Sequence, residues 1–214
     1  MSPEAFANAL DVSRETMARL EAYDRVLIEW SARHNLIARS TIEDRWARHY
    51  LDAAQLWPLV PAAATRLVDL GSGAGFPGLV LAAFGADLRK GDFSVTLIEA
   101  TGKKAAFLTA AAEAMGLTST VEVIPARIED PKTMRAVAPP DVITARALAH
   151  LDKLLGYAAG IQGGNTTLLF PKGARAEEEL TEAAKSWRMD VTRRRSLTDE
   201  NATIFEISNL VPRQ

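Results

Sequence analysis

Residues 68–78 read Val68-Asp-Leu-Gly-Ser-Gly-Ala-Gly-Phe-Pro-Gly78, and this stretch decides the fold. A short apolar strand is predicted to end just after the acidic Asp69, and three alternate glycines follow before a helix begins near Pro77. Glycines at such a turn allow positive φ angles and let a ligand approach the backbone closely. The stretch therefore predicts a strand-to-helix turn that binds a nucleotide-like ligand.

Two acidic residues bear on which nucleotide is bound. Residues 73–78 also satisfy the G-x-G-x-x-G pattern of dinucleotide-binding sites. However, the carboxylate of Asp69 at the tip of the strand would repel a pyrophosphate. S-adenosylmethionine carries an ammonium group that Asp69 can hold directly or through water. Glu99, at the end of the next apolar run, can accept hydrogen bonds from the ribose of either cofactor. We therefore expect S-adenosylmethionine, with a dinucleotide as the alternative.

The composition is that of an ordinary globular protein. The 214 residues are 48% hydrophobic and 24% charged, with a formal net charge of −2. The absence of cysteine excludes disulfides and thiolate nucleophiles, and the three separated histidines predict no metal centre. Because no apolar run could span a bilayer, we expect a cytoplasmic protein without membrane contact.

Basic residues cluster in three places of this near-neutral chain. Each cluster alone is typical of a solvated face, whereas three together favour contacts with phosphate. The clusters are Arg33, Arg39, Arg45 and Arg48; Lys103 and Lys104; and Arg193, Arg194 and Arg195.

The chain divides into a helical lead-in and an alternating region. Residues 3–32 predict a short helix followed by a longer one that begins at Ser13, and residues 41–55 predict another. From residue 66 onwards strands alternate with helices. We therefore expect an N-terminal helical cap over residues 1–60 and a methyltransferase domain of the Rossmann-like type over residues 61–214.

Seven strands are predicted, and helices lie between most of them. The polar segment 196–201 is too short for a crossover helix, so the last two strands should form an antiparallel hairpin. The pattern predicts an α/β fold, a doubly wound seven-stranded sheet with one antiparallel edge strand, as in class I S-adenosylmethionine-dependent methyltransferases. The strands are expected at 66–70, 94–99, 120–125, 141–145, 166–171, 190–195 and 203–208, and the helices at 78–84, 102–115, 130–134, 148–158 and 176–186.

The carboxyl ends of the strands should form the site, because ligands of open α/β sheets bind at that edge. These loops contain Arg127, Arg146 and Lys172. We therefore expect the mouth of the pocket to be positively charged. The loop 126–129 is where methyltransferases commonly contact adenine. The fourth strand lacks the Asn/Asp-Pro-Pro-Tyr type motif of amino-group methyltransferases, and the chain has no cysteine. The methyl acceptor should therefore be an atom that already has a free lone pair.

Several motifs together resemble the RsmG (GidB) family of bacterial small-subunit ribosomal RNA methyltransferases. The resemblance covers roughly residues 25–210, and the segment 85–92 departs from it as a longer connection, which we expect to be a surface insertion. The motifs are the stretch 69–78, Asn35-Leu-Ile37, His49-Tyr-Leu-Asp52, Gly102-Lys-Lys-Ala-Ala-Phe-Leu108, Arg127-Ile-Glu129, Ala145-Arg-Ala147 and Pro171-Lys-Gly173.

The resemblance implies methyl transfer from S-adenosylmethionine to N7 of a guanine in 16S ribosomal RNA, with that RNA or the small subunit as partner. We expect the enzyme to be a monomer. Guanine N7 is unprotonated, so alignment can suffice without a general base. Arg146 and Lys172 are the candidate catalytic residues: Arg146 would orient the cofactor or the guanine O6 and a phosphate, while Lys172, like Arg127, would contact RNA phosphates. The expected cofactor-binding residues are Asp69, Gly71, Ser72, Gly73, Gly75, Phe76, Glu99, Ile128, Glu129 and Arg146.

Two other functions fit parts of this pattern. An NAD(P)-dependent oxidoreductase would need a catalytic His or Tyr-Lys pair, and Tyr157 and His150 lack suitable companions. A non-catalytic RNA-binding or assembly factor could also use a methyltransferase scaffold. Titration with S-adenosylmethionine and NADH tests the first alternative, and methyl transfer to isolated small subunits tests the second.

Overall fold

A computed structural model describes residues 1–213, which form one seven-stranded sheet with helices on both faces. The strand order is β3-β2-β1-β4-β5-β7-β6. The strands are β1 (Arg66–Leu70), β2 (Ser94–Ile98), β3 (Val121–Ile124), β4 (Val142–Ala145), β5 (Thr167–Lys172), β6 (Trp187–Arg195) and β7 (Thr203–Pro212).

Strands β1 to β5 are parallel, and β7 runs antiparallel to both β5 and β6. This confirms the predicted class I methyltransferase topology with antiparallel pairing at one edge. The reversed strand β7 lies one place inside the sheet, and β6 forms the edge. The loop between them, residues 196–202, is short and polar, as the sequence predicted.

The helices are close to their predicted positions. Those before the sheet are α1 (Pro3–Leu10), α2 (Arg14–Ser31) and α3 (Asp52–Ala54), and those within it are α4 (Gly78–Leu88), α5 (Gly102–Ala114), α6 (Pro131–Ala136), α7 (Leu151–Ala159) and α8 (Ala176–Ser186). Ser13 caps α2 as expected, because its Oγ accepts a hydrogen bond from the Thr16 amide at 3.0 Å. No described helix is both long and apolar enough to cross a membrane.

The predicted helix at 41–55 is interrupted in the structure. A 3₁₀ turn (Arg39–Thr41) is closed by the Thr41 hydroxyl, which donates to the Ala38 carbonyl at 2.7 Å. A π-helical turn (Trp46–Leu51) then leads into α3, and a 3₁₀ turn follows at Trp57–Leu59. π-helical turns are frequent at functional sites, and this one carries His49.

The segment 85–92 is only partly a surface connection, which corrects the expectation of an insertion on the surface. Its first four residues are the last turn of α4, and Gly85 is buried against Phe93. Asp87 accepts hydrogen bonds from Ser13 at 2.6 Å and Thr16 at 3.2 Å. The segment therefore ties α4 to the N-terminal helices.

The core has two parts, one on each face of the sheet, because side chains alternate along each strand. Leu67 of β1 packs with the N-terminal helices, α4 and α5, while its neighbour Val68 packs with α7 and α8. The predicted cap, residues 1–60, thus shares one hydrophobic core with the sheet.

Candidate functional site

The glycine turn follows β1 at the carboxyl edge of the sheet. Gly71, Gly73 and Gly75 have φ angles of +65°, +56° and +90°, which are values that other residues rarely adopt. The Ser72 amide donates to the Ile98 carbonyl at 3.1 Å, and so fixes the turn to the end of β2. The sequence therefore uses glycine here because the backbone requires it.

Open space lies at the centre of this turn. A Cβ atom on Gly71 would come within 2.5 Å of Leu148, and one on Gly75 within 2.6 Å of Leu79. A Cβ on Gly73 would meet only the Gly71 carbonyl oxygen, at 3.7 Å. The turn is thus closely packed at two glycines and open at the third, which leaves room for a ligand at Gly73.

Glu99 connects the glycine turn to the loop after β2. One carboxylate oxygen accepts from the Gly73 amide at 2.9 Å, and the other accepts from the Thr101 amide at 2.7 Å. Each carboxylate oxygen has two lone pairs, so both can accept a further hydrogen bond. The side chain can hold a ribose diol and the turn at the same time.

We expect Glu99→Gln to weaken S-adenosylmethionine binding by about 1–3 kcal/mol, the cost of losing a charged hydrogen-bond partner. Glutamine has one acceptor oxygen, so its amide group would face the N–H of either Gly73 or Thr101. Isothermal titration measures the effect. Glu122→Gln, an exposed change on β3, is the matched control and should bind normally. Unaltered affinity in a folded Glu99→Gln variant would remove Glu99 from the site.

Asp69 lies beneath the turn and is fully buried. Its Oδ1 accepts from the Thr144 hydroxyl at 2.7 Å, and its Oδ2 has no hydrogen-bond partner within residues 1–213. Burial raises the pKa of Asp69 to about 6, against the opposing effect of Thr144. The carboxylate is therefore enclosed beneath the turn, and its contact with the cofactor stays a prediction.

Ser72 and Phe76 also turn their side chains inward. The Ser72 hydroxyl donates to the Asp69 carbonyl at 3.0 Å. The Phe76 ring is buried among Tyr23, Tyr50 and His49, at centroid distances of 5.1–5.3 Å. Both residues were predicted to contact the cofactor. Because their side chains are buried, only their backbone atoms are left to do so.

The loop after β3 places Ile128 and Glu129 at the same edge of the sheet. Ile128 is buried and supplies an apolar surface, whereas Glu129 is exposed and accepts from the Tyr157 hydroxyl at 2.7 Å. That hydrogen bond lowers the pKa of the Glu129 carboxyl. Both residues also line a groove beside α7, and Arg127 in the same loop is exposed.

A cleft of about 680 Å³ lies beside the glycine turn. It runs between the π-helical turn, the loops after β4 and β5, and the hairpin loop 196–202. Leu148 belongs to its wall and also covers Gly71, so the cleft and the glycine turn adjoin. Its polar lining includes Arg48, His49, Asp52, Arg146, Lys172, Arg175, Glu179 and Thr198.

Arg146 lies where the cleft meets the glycine turn. Its Nη1 donates to Asp52 at 3.0 Å and to the Arg48 carbonyl at 3.4 Å, and its Nη2 lies 3.2 Å from His49 Nδ1. The guanidinium also lies over the Phe76 ring, 5.1 Å from the centroid. Arg146 therefore lies at the mouth of the cleft, as the sequence predicted, and residues of the N-terminal segment hold its side chain in place.

His49 is held neutral. Burial lowers its pKa to about 4, and the charge of Arg146 adds to this effect. Since Arg146 can only donate, Nδ1 accepts, and Nε2 then carries the proton and donates to Thr41 Oγ1 at 2.9 Å. Neither ring nitrogen is free to act as a base.

Lys172, which the sequence suggested as a phosphate contact at the mouth of the pocket, makes an internal ion pair. Its Nζ lies 2.6 Å from Glu179 and donates to the Ala149 carbonyl at 2.8 Å, with only 9% of the side chain exposed. Glu179 also accepts from the Leu151 amide at the start of α7. Lys172 thus ties β5, α7 and α8 together, and the pair has no net charge.

We expect Lys172→Ala to lower the free energy of unfolding by about 2–3 kcal/mol, because removal of one partner leaves the Glu179 carboxylate unpaired in a mostly buried place. Urea denaturation measures the loss. Lys185→Ala is the control: its pair with Glu182 on the same helix is exposed, so the change should cost at most about 0.5 kcal/mol. Equal losses in the two variants would contradict the structural role.

The same variant tests the phosphate contact that the sequence suggested for Lys172. A lost phosphate contact makes the salt dependence of RNA binding shallower by about 0.7–0.9 logarithmic units. Because Lys172 is neutralised by Glu179, we expect the slope of Lys172→Ala to remain close to that of the unaltered protein.

Sequence reasoning did not assign roles to His49, Asp52 and Arg175, and it gave Arg48 only as a member of a basic cluster that favours phosphate contacts. The motif from His49 to Asp52 was one of those that carried the family resemblance, and its spacing in a helical segment could have placed both side chains on one face. Arg48 and Arg175 are exposed cations of the cleft wall. Only the tertiary fold brings the four residues together with Arg146.

Comparisons with known proteins agree with this geometry. Residues 16–205 match the family model described as rRNA small subunit methyltransferase G. The chain is 46% identical over 208 residues to the ribosomal RNA small subunit methyltransferase G of Paramagnetospirillum magneticum, a match that covers 97% of this chain and 95% of the relative. The protein of the same description from Rhodospirillum centenum is 46% identical over 209 residues, with 97% and 91% covered.

Solved structures confirm the fold. An O-methyltransferase from Bacillus cereus in complex with SAH superposes with a TM-score of 0.64 at 13% identity, over 97% of this chain and 96% of that one. The SAH-bound methyltransferase PaMTH1 from Podospora anserina superposes with a TM-score of 0.58 at 14% identity, over 92% and 96%. At these identities the similarity concerns the architecture alone.

Proposed function

Because the chain belongs to the GidB family of rRNA small subunit methyltransferases, we propose that it transfers a methyl group from S-adenosylmethionine to N7 of a guanine in 16S ribosomal RNA. The observation that carries this proposal is the junction at Arg146. There a glycine cradle for the cofactor adjoins a cleft of about 680 Å³ that has exposed cations on its wall.

The cradle fits S-adenosylmethionine. The backbone at Gly73 offers the open surface, Gly71 and Gly75 give the turn its shape, and Glu99 would accept from the ribose hydroxyls while it holds the turn. Ile128 and Glu129 stand at the adenine side, with Asp69 beneath the methionine side. When bound, the cofactor supplies an electrophilic methyl carbon on a positively charged sulfur.

The reaction needs no protein base. With the cofactor bound, its methyl group would pass from the positively charged sulfur to the lone pair of guanine N7, so the residues of this chain would only have to orient the two groups. No proton moves. This agrees with a site in which both nitrogens of His49 are occupied and the Asp52 carboxylate is paired with Arg146. Orientation supplies the catalysis.

Arg146 is the proposed catalytic contact. Its guanidinium can orient the guanine O6 or a phosphate at the point where the cleft reaches the glycine turn. A lone cation here would oppose the cationic product, but Asp52 at 3.0 Å offsets that charge. Arg48 and Arg175 are exposed on the cleft wall and are suited to RNA phosphates, while Lys172 supports the wall.

The cleft is built within a single chain, since its polar wall combines residues before 60 with residues after 145. This supports a monomeric enzyme in which the predicted cap 1–60 completes the site of the predicted domain 61–214. Because its proposed substrate is ribosomal RNA, we also propose that the enzyme acts in the cytoplasm. Sedimentation of the purified protein would reveal a dimer if this is incorrect.

Methyl transfer to small subunits from cells that lack this protein tests the function. We expect one methyl group per subunit, on a guanine whose modified base allows strand scission after borohydride and aniline treatment. Transfer to an exocyclic nitrogen or a ribose would contradict the N7 assignment. Binding to subunits without transfer would favour an assembly factor, and binding of NADH in place of S-adenosylmethionine would favour an oxidoreductase.

A further inference from the structure

We propose that Asp52 is a positioning residue that fixes Arg146, and that it does so by joining three parts of the cleft. This rests on the proposed function, in which Arg146 contacts the reacting groups. Asp52 follows the π-helical turn of the N-terminal segment, Arg146 follows β4, and Thr198 lies in the hairpin loop. All three side chains meet at one carboxylate.

The two oxygens of Asp52 face different partners. Oδ2 accepts from Arg146 Nη1 at 3.0 Å. Oδ1 accepts from the Thr198 hydroxyl at 2.7 Å and from Gln55 Nε2 at 2.9 Å. All of these partners are donors, so the site requires acceptors on both sides, and only a carboxylate offers them.

Gln55 extends the same connection to the hairpin loop. Its Oε1 accepts from the Leu197 amide at 2.7 Å, and its Nε2 lies 3.3 Å from Ser196 Oγ. The loop is therefore attached to the N-terminal segment at successive residues. A displacement of the loop would pull on Asp52, and through it on Arg146.

The charge of Asp52 has a second consequence for the proposed reaction. The product purine is cationic, and an unpaired guanidinium beside it would raise the energy of the transition state. The ion pair lets Arg146 donate hydrogen bonds without a full net charge. Asp52 thus determines both the direction and the effective charge of the Arg146 side chain.

The test uses Asp52→Asn in the full chain. Asparagine has a single acceptor oxygen, so its NH₂ group must face a donor on one side. We expect kcat for methyl transfer to subunits to fall about 10- to 100-fold, as for a lost charged partner. If Asp52 acts through Arg146, Asp52→Asn combined with Arg146→Ala should lose no more than Arg146→Ala alone, to within about 3-fold. Losses that multiply, or an unchanged kcat in the single variant, would overturn the proposal.

Asp24→Asn is the matched control. Asp24 pairs with Arg45 at 2.6 Å in the same N-terminal region, with 14% and 23% of the two side chains exposed, against 18% and 19% for Asp52 and Arg146. The control therefore breaks an equally buried pair outside the cleft. It should lose stability and keep kcat within about 2-fold of the unaltered enzyme. An equal fall of kcat in the control would mean that general loosening explains the effect.

A second readout does not depend on the reaction. Rotation about the Arg146 Nε–Cζ bond, followed by ¹⁵N NMR and assigned with Arg146→Lys, should be slow in the unaltered protein and faster in Asp52→Asn. Free rotation in both would overturn the proposal, whereas restricted rotation without any methyl transfer would count against the proposed function alone. If Asp52→Asn does not fold, Thr198→Val at the exposed loop replaces it and should also speed rotation, and an unchanged rate would again overturn the proposal.

Discussion

Gly73→Val should abolish S-adenosylmethionine binding, with an affinity loss of more than about 100-fold. A branched side chain would fill the only part of the glycine turn that is open, since a Cβ there meets nothing closer than the Gly71 oxygen at 3.7 Å. The φ angle of +56° adds strain of about 1–2 kcal/mol for a residue with a side chain. Isothermal titration of the folded variant measures the loss.

A control must separate strain from obstruction. Gly91 also has a left-handed φ, +88°, and a Cβ there would meet nothing within 4 Å. Gly91→Val should therefore cost a similar amount of stability and bind the cofactor normally. Retained affinity in Gly73→Val would show that the cradle has been placed incorrectly.

Arg146→Ala should lower kcat/KM for methyl transfer by about 10²–10³-fold, the usual cost of removing one preorganised donor. Because its guanidinium stands between the glycine turn and the cleft, cofactor affinity should fall as well, in contrast to Lys172→Ala. The salt dependence of subunit binding should also become shallower if Arg146 meets a phosphate. Arg146→Lys keeps the charge and loses the planar fork, so its activity should be intermediate.

The same change should be visible at His49. Burial and the charge of Arg146 hold the pKa of His49 at about 4. Removal of that charge should raise the pKa toward 6.5, so protonation of His49 would begin at a higher pH in Arg146→Ala. NMR titration of the imidazole measures this, and an unchanged pKa would contradict the contact between the two side chains.

The sequence predicted those features of the fold that are encoded locally. Strand β1 and helix α8 have the predicted bounds, because apolar periodicity and turn residues define them without reference to the rest of the chain. The short polar segment before β7 predicted the antiparallel hairpin for the same reason. The α7 helix begins three residues later than predicted, since Leu148 instead packs over Gly71.

The spacing of residues in the sequence could not predict which charged side chains are buried and which are paired. Lys172 follows a strand at the correct edge, yet its partner Glu179 belongs to the next helix and makes the pair internal. Asp69 lies next to the end of the expected strand but is buried under the turn that follows it. Burial and pairing depend on how distant segments pack. The predicted roles of these two residues therefore remain predictions, and Lys172→Ala tests the one for Lys172.

The order in which the sheet assembles follows from the place of β7. Strand β6 is synthesised before β7 and pairs only with it among the described residues, so β6 cannot join the sheet by itself. Hairpins form within microseconds from local contacts. We therefore expect β6 and β7 to form first as a unit and then to dock along β5. The loop 196–202 reaches Asp52 only in that docking step, so the binding cleft is not complete until the hairpin has docked.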